Sequence, residues 1–357
     1  MKVCLDERAH GTQSLAYARL AQFQGPSLLV YNDSVFRESD FASISSVGDS
    51  AKREQVGKTG RFGVGFNAVY HLTDVPSFVS GRHAVFFDPH ATHLPNVSSA
   101  NPGKRVDFVN NDVLGKHRDQ FAPFLAFGCD ARSEFAGTTF RFPLRTEAQA
   151  ARSKLSKASY ALEDVRSLLR DFAKEAVLDM LFLKTVAAVE ISEWRVGDDA
   201  PTTRFVARTP SPSAALVSAR GAFARASAAH AEKGAHARIE PETASRFDVT
   251  FATSEWGAED ETRAARSGAR TFVVAQALGA GPLRSLVATG REKFGMRLVP
   301  WAAVAAELDH ETANGADDSK ASREPSGRAF CFLPLPVMTG LPVHVNAFFE
   351  LSSNRRD

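Results

Sequence analysis

Cysteine is scarce: Cys4, Cys129 and Cys331 are the only three in 357 residues. They are odd in number, far apart and without C-x-x-C spacing, which excludes a disulfide framework and the standard zinc sites and fits a reducing, cytoplasmic setting. Long apolar runs are missing too. None approaches the length that crosses a bilayer, and the opening MKVCLDERAHG turns charged too soon for a signal peptide, so a soluble protein with no membrane partner is expected. Nor is there an excess of either charge. Lys and Arg number 43 against 41 Asp and Glu, a net +2, which gives no general attraction to nucleic acid or to anionic lipid. What remains is ordinary globular composition, 44% hydrophobic and 24% charged, in a chain long enough for two domains.

The stretch from Val56 to Asp74, VGKTGRFGVGFNAVYHLTD, is the most distinctive present. Gly60, Gly63 and Gly65 alternate with Arg61, Phe62, Val64 and Phe66, and an amphipathic run from Asn67 follows at once. A loop of this kind feeding a helix N-terminus suits an anion, because the first N–H groups of a helix lack partners and glycine lets a phosphate approach the main chain. Lys58 and Arg61 add formal charge there. The spacing G-x-x-G-x-G-F is neither the dinucleotide fingerprint nor the P-loop, so a glycine-rich turn that packs a helix on a sheet stays open as the alternative.

Along the chain, strands are expected at Lys2–Leu5 and Ser27–Tyr31, the second a buried run ending in Asn32-Asp33, which either faces a ligand or marks a turn. Helices are expected over Ser14–Phe23 and Phe36–Val47, and the polar 48–58 segment is a candidate lid. Ser77–Ser80 and Ala84–Phe87 read as a hairpin, and Gly137–Leu144 alternates as a half-buried strand with Thr138 at its head. Asp88, His90 and His93 lack a helical face or zinc spacing to present them to a metal. Residues 96–118 read as polar and irregular, and 147–159 as a connector.

From Leu162 to Met180 apolar residues recur at three- and four-residue steps, a long helix. Strands resume near 186–196, 203–207, 247–251, 271–275 and 297–301; the alanine-rich 211–237 block is a helix or a low-complexity insert, and 307–328 reads as a disordered loop. Phe330–Pro336 and Leu341–Phe349 are extended, and the Arg355-Arg356 pair beyond them is either a solvated end or a phosphate contact from a second domain.

GKTGRFGVGFNAVYHLTDVPSFVSG, the DPH after it, GTTFRFPLR and the closing LPLPVMTGLPVHVNAFFELSSNRRD, with LDERAHGT, QGPSLLVYND and FAPFLAFG, resemble the repeat unit of sacsin-like proteins. Those repeats are similar to the N-terminal ATPase and part of the middle domain of heat-shock-protein-90 chaperones, in the GHKL superfamily of gyrase B, histidine kinases and MutL. The resemblance implies an α/β fold: a Bergerat-type α/β sandwich over residues 1–150, its mixed sheet covered on one face by helices, followed by a second α/β domain over 151–357. It implies ATP on the main chain of Gly60–Phe66, with 48–58 as the lid, Asn32 or Asp33 reading adenine, Thr138 supporting that contact, and Arg355 or Arg356 at the γ-phosphate.

The superfamily's D-x-G-x-G is replaced here by Asn32-Asp33-Ser34-Val35-Phe36. The helix bearing a Glu for water and an Asn for magnesium would precede Lys2 and is not in this sequence, so Mg2+ is expected only where that helix is present and hydrolysis by this chain alone is expected to be poor or nil. The implied role is a chaperone or cochaperone module that binds ATP and works with the heat shock protein 70 system, or other chaperones, on unfolded client proteins. The rival is a nucleotide-independent scaffold whose glycine loop serves packing.

Overall fold

The computed structural model describes residues 1–45, 66–210, 212–233, 244–256, 266–279, 285–286, 289, 300–308 and 327–349. In chain order the elements are β1 (Lys2–Asp6), β2 (Ser27–Asn32), α1 (Glu38–Ser45), β3 (Ser77–Gly81), β4 (His83–Phe87), β5 (Gly103–Asp107), α2 (Val113–Phe121), β6 (Phe135–Pro143), α3 (Glu147–Arg152) and α4 (Leu162–Leu181). They continue with β7 (Ala188–Trp194), β8 (Thr202–Arg208), α5 (Ala214–Lys233), β9 (Ser245–Glu255), β10 (Arg266–Leu278), β11 (Trp301–Leu308), β12 (Arg328–Cys331), β13 (Leu333–Met338) and β14 (His344–Ala347). Short 3-10 helices occupy Ala18–Phe23, Phe66–His71 and Ala122–Phe124.

The protein is α/β, and the described residues build one mixed sheet of 14 strands in the order β13-β12-β14-β11-β10-β9-β8-β7-β1-β2-β6-β3-β4-β5. The sheet runs from the 1–150 segment into the rest of the chain through β1, which pairs antiparallel with β2 and parallel with β7. Period-two alternation sends Val3, Leu5, Leu28, Phe142, Val189 and Ile191 to one face, where α4 covers them with Val165, Leu169, Val177 and Met180. The opposite face of the first half is not bare, as helices on one side alone would leave it. Phe23, Val79, Phe86, Phe108, Phe121 and Phe124 form a second core there, under the 3-10 helices at 18–23 and 122–124 and α2.

The 96–118 stretch contains β5 and the start of α2 rather than irregular chain. The start of α2 is set by Asp112, whose Oδ1 accepts from the Gly115 N–H at 2.9 Å. Within 147–159, Thr146 and Gln149 make a reciprocal capping box that starts α3. Ser14–Phe23 yields only the 3-10 helix at 18–23. The alanine-rich block forms α5, seated by Leu216, Ala219 and Phe223 at helical spacing. Of the expected disordered loop, Glu307 and Leu308 belong to β11, 327–328 lead into β12, and 309–326 lie outside the described residues.

Candidate functional site

Three strands set a polar row on the α4 face. Asn32 at the end of β2 is opposite Thr138 of β6, and Thr138 is opposite Ser80 of β3. Thr138 donates to the Ser34 carbonyl at 2.7 Å. A threonine has one hydroxyl proton, so the 2.7 Å contact between Ser80 Oγ and Thr138 Oγ1 must carry the proton of Ser80. Ser80 Oγ in turn accepts the Phe36 N–H at 2.8 Å. The chain Phe36 to Ser80 to Thr138 to Ser34 thus fastens residues 34–36 onto the row. Asn32 Oδ1 shapes the same turn by accepting from the Ser34 N–H at 3.0 Å. Gly137 is required beside it, because a Cβ there would come within 2.7 Å of Tyr31 Cε2 and 2.9 Å of the Asn32 carbonyl.

Two residues beyond Thr138 on the same face, Phe140 begins an aromatic floor with Phe78 and Phe87. Phe36 lies 4.8 Å from Phe78 and Phe41 5.9 Å from it, ring centre to ring centre. Phe66, last residue of the glycine segment, lands on this floor, 5.2 Å from Phe87 and 6.2 Å from Phe140.

The 3-10 helix that Phe66 opens is stopped by a buried arginine. Arg145 Nη2 donates to the Tyr70 carbonyl at 2.6 Å, Nη1 to His71 at 2.8 Å, and its backbone N–H to Leu72 at 2.9 Å. Its guanidinium also meets Asp74 Oδ1 at 2.7 Å, and Ser153 Oγ donates to that oxygen at 2.7 Å. The helix expected after the glycine loop is a 3-10 helix, Phe66–His71.

The structure brings Asn32, Thr138 and Phe66 onto one face. Asp33 follows in the turn, exposed and without a hydrogen bond among the described residues. Lys58, Gly60, Arg61, Phe62, Gly63, Val64, Gly65, the 48–58 lid, Arg355 and Arg356 lie outside those residues. Asp88 and the two histidines do not converge: Asp88 Oδ2 accepts the His93 and Leu94 N–H groups at 2.6 and 2.9 Å, while His90 Nε2 sits 3.8 Å from Asp74. Among the described residues no group of three His, Cys, Asp or Glu is placed to hold a metal. Sequence reasoning did not single out Ser80, Asp74 or Arg145. The signal for Arg145 was its place closing GTTFRFPLR, a basic residue just past a buried strand.

The family described as the sacsin domain matches residues 1–206, more than half of the 357. The chain belongs to the sacsin family. Human sacsin is 33% identical to it over 371 aligned residues, an alignment that covers all of this chain and 8% of human sacsin, so the chain spans a small part of that relative's length. Among solved structures, the N-terminal domain of a DNA repair protein aligns with all of this chain and 82% of its own at a TM-score of 0.35 and 8% identity, a likeness too low to bear on function.

The sacsin-domain match contains the polar row, the floor and the Arg145 clamp, and also a second knot formed by LDERAHGT. Asp6, fully buried, is gripped by Arg8 through Nε at 2.8 Å and Nη2 at 3.0 Å, with His10 Nε2 at 3.3 Å, while the Arg8 guanidinium lies 3.3 Å over the Trp194 ring. Burial pushes the Asp6 carboxyl up, but the bonds from His10 and Arg8 outweigh it and hold it below its ordinary 3.8. Burial raises the Cys4 thiol to about 12, which removes it from thiolate chemistry near neutral pH. No helix among the described residues is long and apolar enough to cross a membrane.

Proposed function

We propose that this chain is an ATP-binding module of the heat-shock-protein-90-like class within a larger sacsin-type chaperone or cochaperone, acting with the heat shock protein 70 system on unfolded clients. On this reading β2, β6, β3 and β4 with their helical cover correspond to a Bergerat-type sandwich. The observation that carries it is the meeting of Asn32, Thr138 and Phe66 on one face of the sheet. The polar groups suit a purine edge. The Asn32 amide N–H2 and the Asp33 carboxylate make no hydrogen bond among the described residues, which leaves a donor and an acceptor side by side at the strand end. Thr138 retains an acceptor lone pair only, so its part is to hold the turn that carries Asp33.

Isothermal titration with ATP and magnesium tests this. Micromolar binding that Asn32→Ala with Asp33→Ala removes is the expected result; no heat with the folded wild-type chain would overturn it.

A nucleotide-independent scaffold is the second reading, favoured by one observation: Phe36, Phe41 and Phe66 already fill the floor beside Thr138. Silence in the titration is its expected outcome.

A further inference from the structure

Near the end of the sacsin-domain match, one cation is enclosed by aromatic rings from beyond it, with nothing among the described residues to balance it. Lys184 follows α4, and its Nζ lies 3.3 Å from the centre of the Phe223 ring of α5, 4.3 Å from Phe332 between β12 and β13, and 5.3 Å from Trp301 of β11. The amine is buried and has no hydrogen-bond partner among the described residues. The box around it is well braced. Trp301 stacks on Phe332 at 5.4 Å with the planes 8° apart and meets Phe223 edge-on at 4.7 Å. Phe332 holds a φ of +64°, a conformation a bulky residue adopts only under constraint, and its N–H is fixed to Asn346 Oδ1 at 2.9 Å.

We propose that Lys184 is a proton-operated latch: uncharged, its amine lets Phe223, Trp301 and Phe332 close and holds α5 on the sheet, and taking up a proton loosens that contact. An ammonium buried without a partner is disfavoured, since ring faces return only part of its lost hydration. Burial alone brings the Lys184 amine down from 10.5 to about 7.

Several charged groups on the surrounding elements are engaged elsewhere. On α5, Arg220 Nη2 reaches the Leu183 carbonyl at 3.5 Å; on β12, Arg328 pairs with Glu175 of α4 at 2.6 Å; on β11, Glu307 pairs with Arg270 of β10 at 2.6 Å. Asp179 on α4 is raised from 3.8 by burial, and His344 on β14 is lowered from 6.5 by burial. Cys331 lies next to Phe332, so the variants below, not the wild-type slope alone, isolate Lys184.

Because the closed form holds fewer protons than the open one between about 7 and 10.5, closure is weakest below 7 and strengthens as pH rises through that window. One proton changes the open-to-closed ratio by about tenfold per pH unit.

Hydrogen exchange of α5 amides, corrected for the intrinsic pH dependence of exchange, measures that ratio directly on the whole chain. From pH 9 to 7 the wild type should lose about tenfold protection per unit, whereas Lys184→Met, which fills the box without a charge, should stay flat. Lys184→Arg, charged throughout, should be flat and poorly protected, and a failure of that variant to fold counts as the same result. An equal slope in wild type and Lys184→Met, or a wild type without any slope, would overturn the latch.

Discussion

Arg145 and Asp74 meet at 2.7 Å with both side chains shut away from water, and the same guanidinium holds the last carbonyls of the 3-10 helix that leaves the glycine segment. One cation thereby ties the C-terminal end of that helix to the strand bearing Thr138.

Removing it should be costly. Arg145→Met leaves a buried carboxylate and the Tyr70 and His71 carbonyls unpaired, and roughly 3–5 kcal/mol of stability should disappear in urea unfolding. Arg145→Lys restores charge without the planar fork and should recover only part. Combining Arg145→Met with Asp74→Leu should cost less than the two changes summed, because the carboxylate is then no longer stranded.

The polar row predicts a smaller effect with a clear control. Thr138→Val preserves shape but strands the Ser34 carbonyl and the Ser80 proton, so a loss of about 1–3 kcal/mol is expected by thermal or chemical unfolding. Thr138→Ser keeps the hydroxyl and should stay closer to wild type. If the two variants are equally unstable, the hydrogen-bonded chain through Ser80 is not what holds residues 34–36.

Asp6 sets a dependence at acid pH. Its carboxyl is held below 3.8 in the folded chain, so the stability it contributes is full above that value and is lost as pH falls through the lower, folded one. Urea midpoints measured from pH 5 downward should fall less steeply in Asp6→Asn than in the wild type. Arg8→Gln should flatten the curve in the same direction, since it removes a cation that keeps Asp6 ionised.

How far residues foretold this arrangement depended on whether the signal was local. β2, the β3–β4 hairpin, β6 and α4 were legible from alternation or helical period, because burial of one face imposes that pattern directly. The Asn32–Thr138 part of the row was legible for the same reason, since both residues head or end strands whose centres read clearly. β5 was not, for its GKRVD sequence is an edge strand with no fully buried residue. The cover on the second face was legible only as a helix over Ser14–Phe23, because its 3-10 helices and α2 are too short for a period to show which face they bury. Arg145 was missed for another reason: its partners Tyr70, His71 and Asp74 are over 70 positions away in the chain, and nothing in local sequence announces an ion pair closed over that distance.

The parallel seam between β1 and β7 aligns Lys2 with Glu190. A nascent chain leaving the ribosome therefore carries β1 with one flank unsealed until β7, nearly two hundred residues further along, has been made, and a fragment cut near residue 150 would keep that flank permanently open, inviting strand-to-strand aggregation.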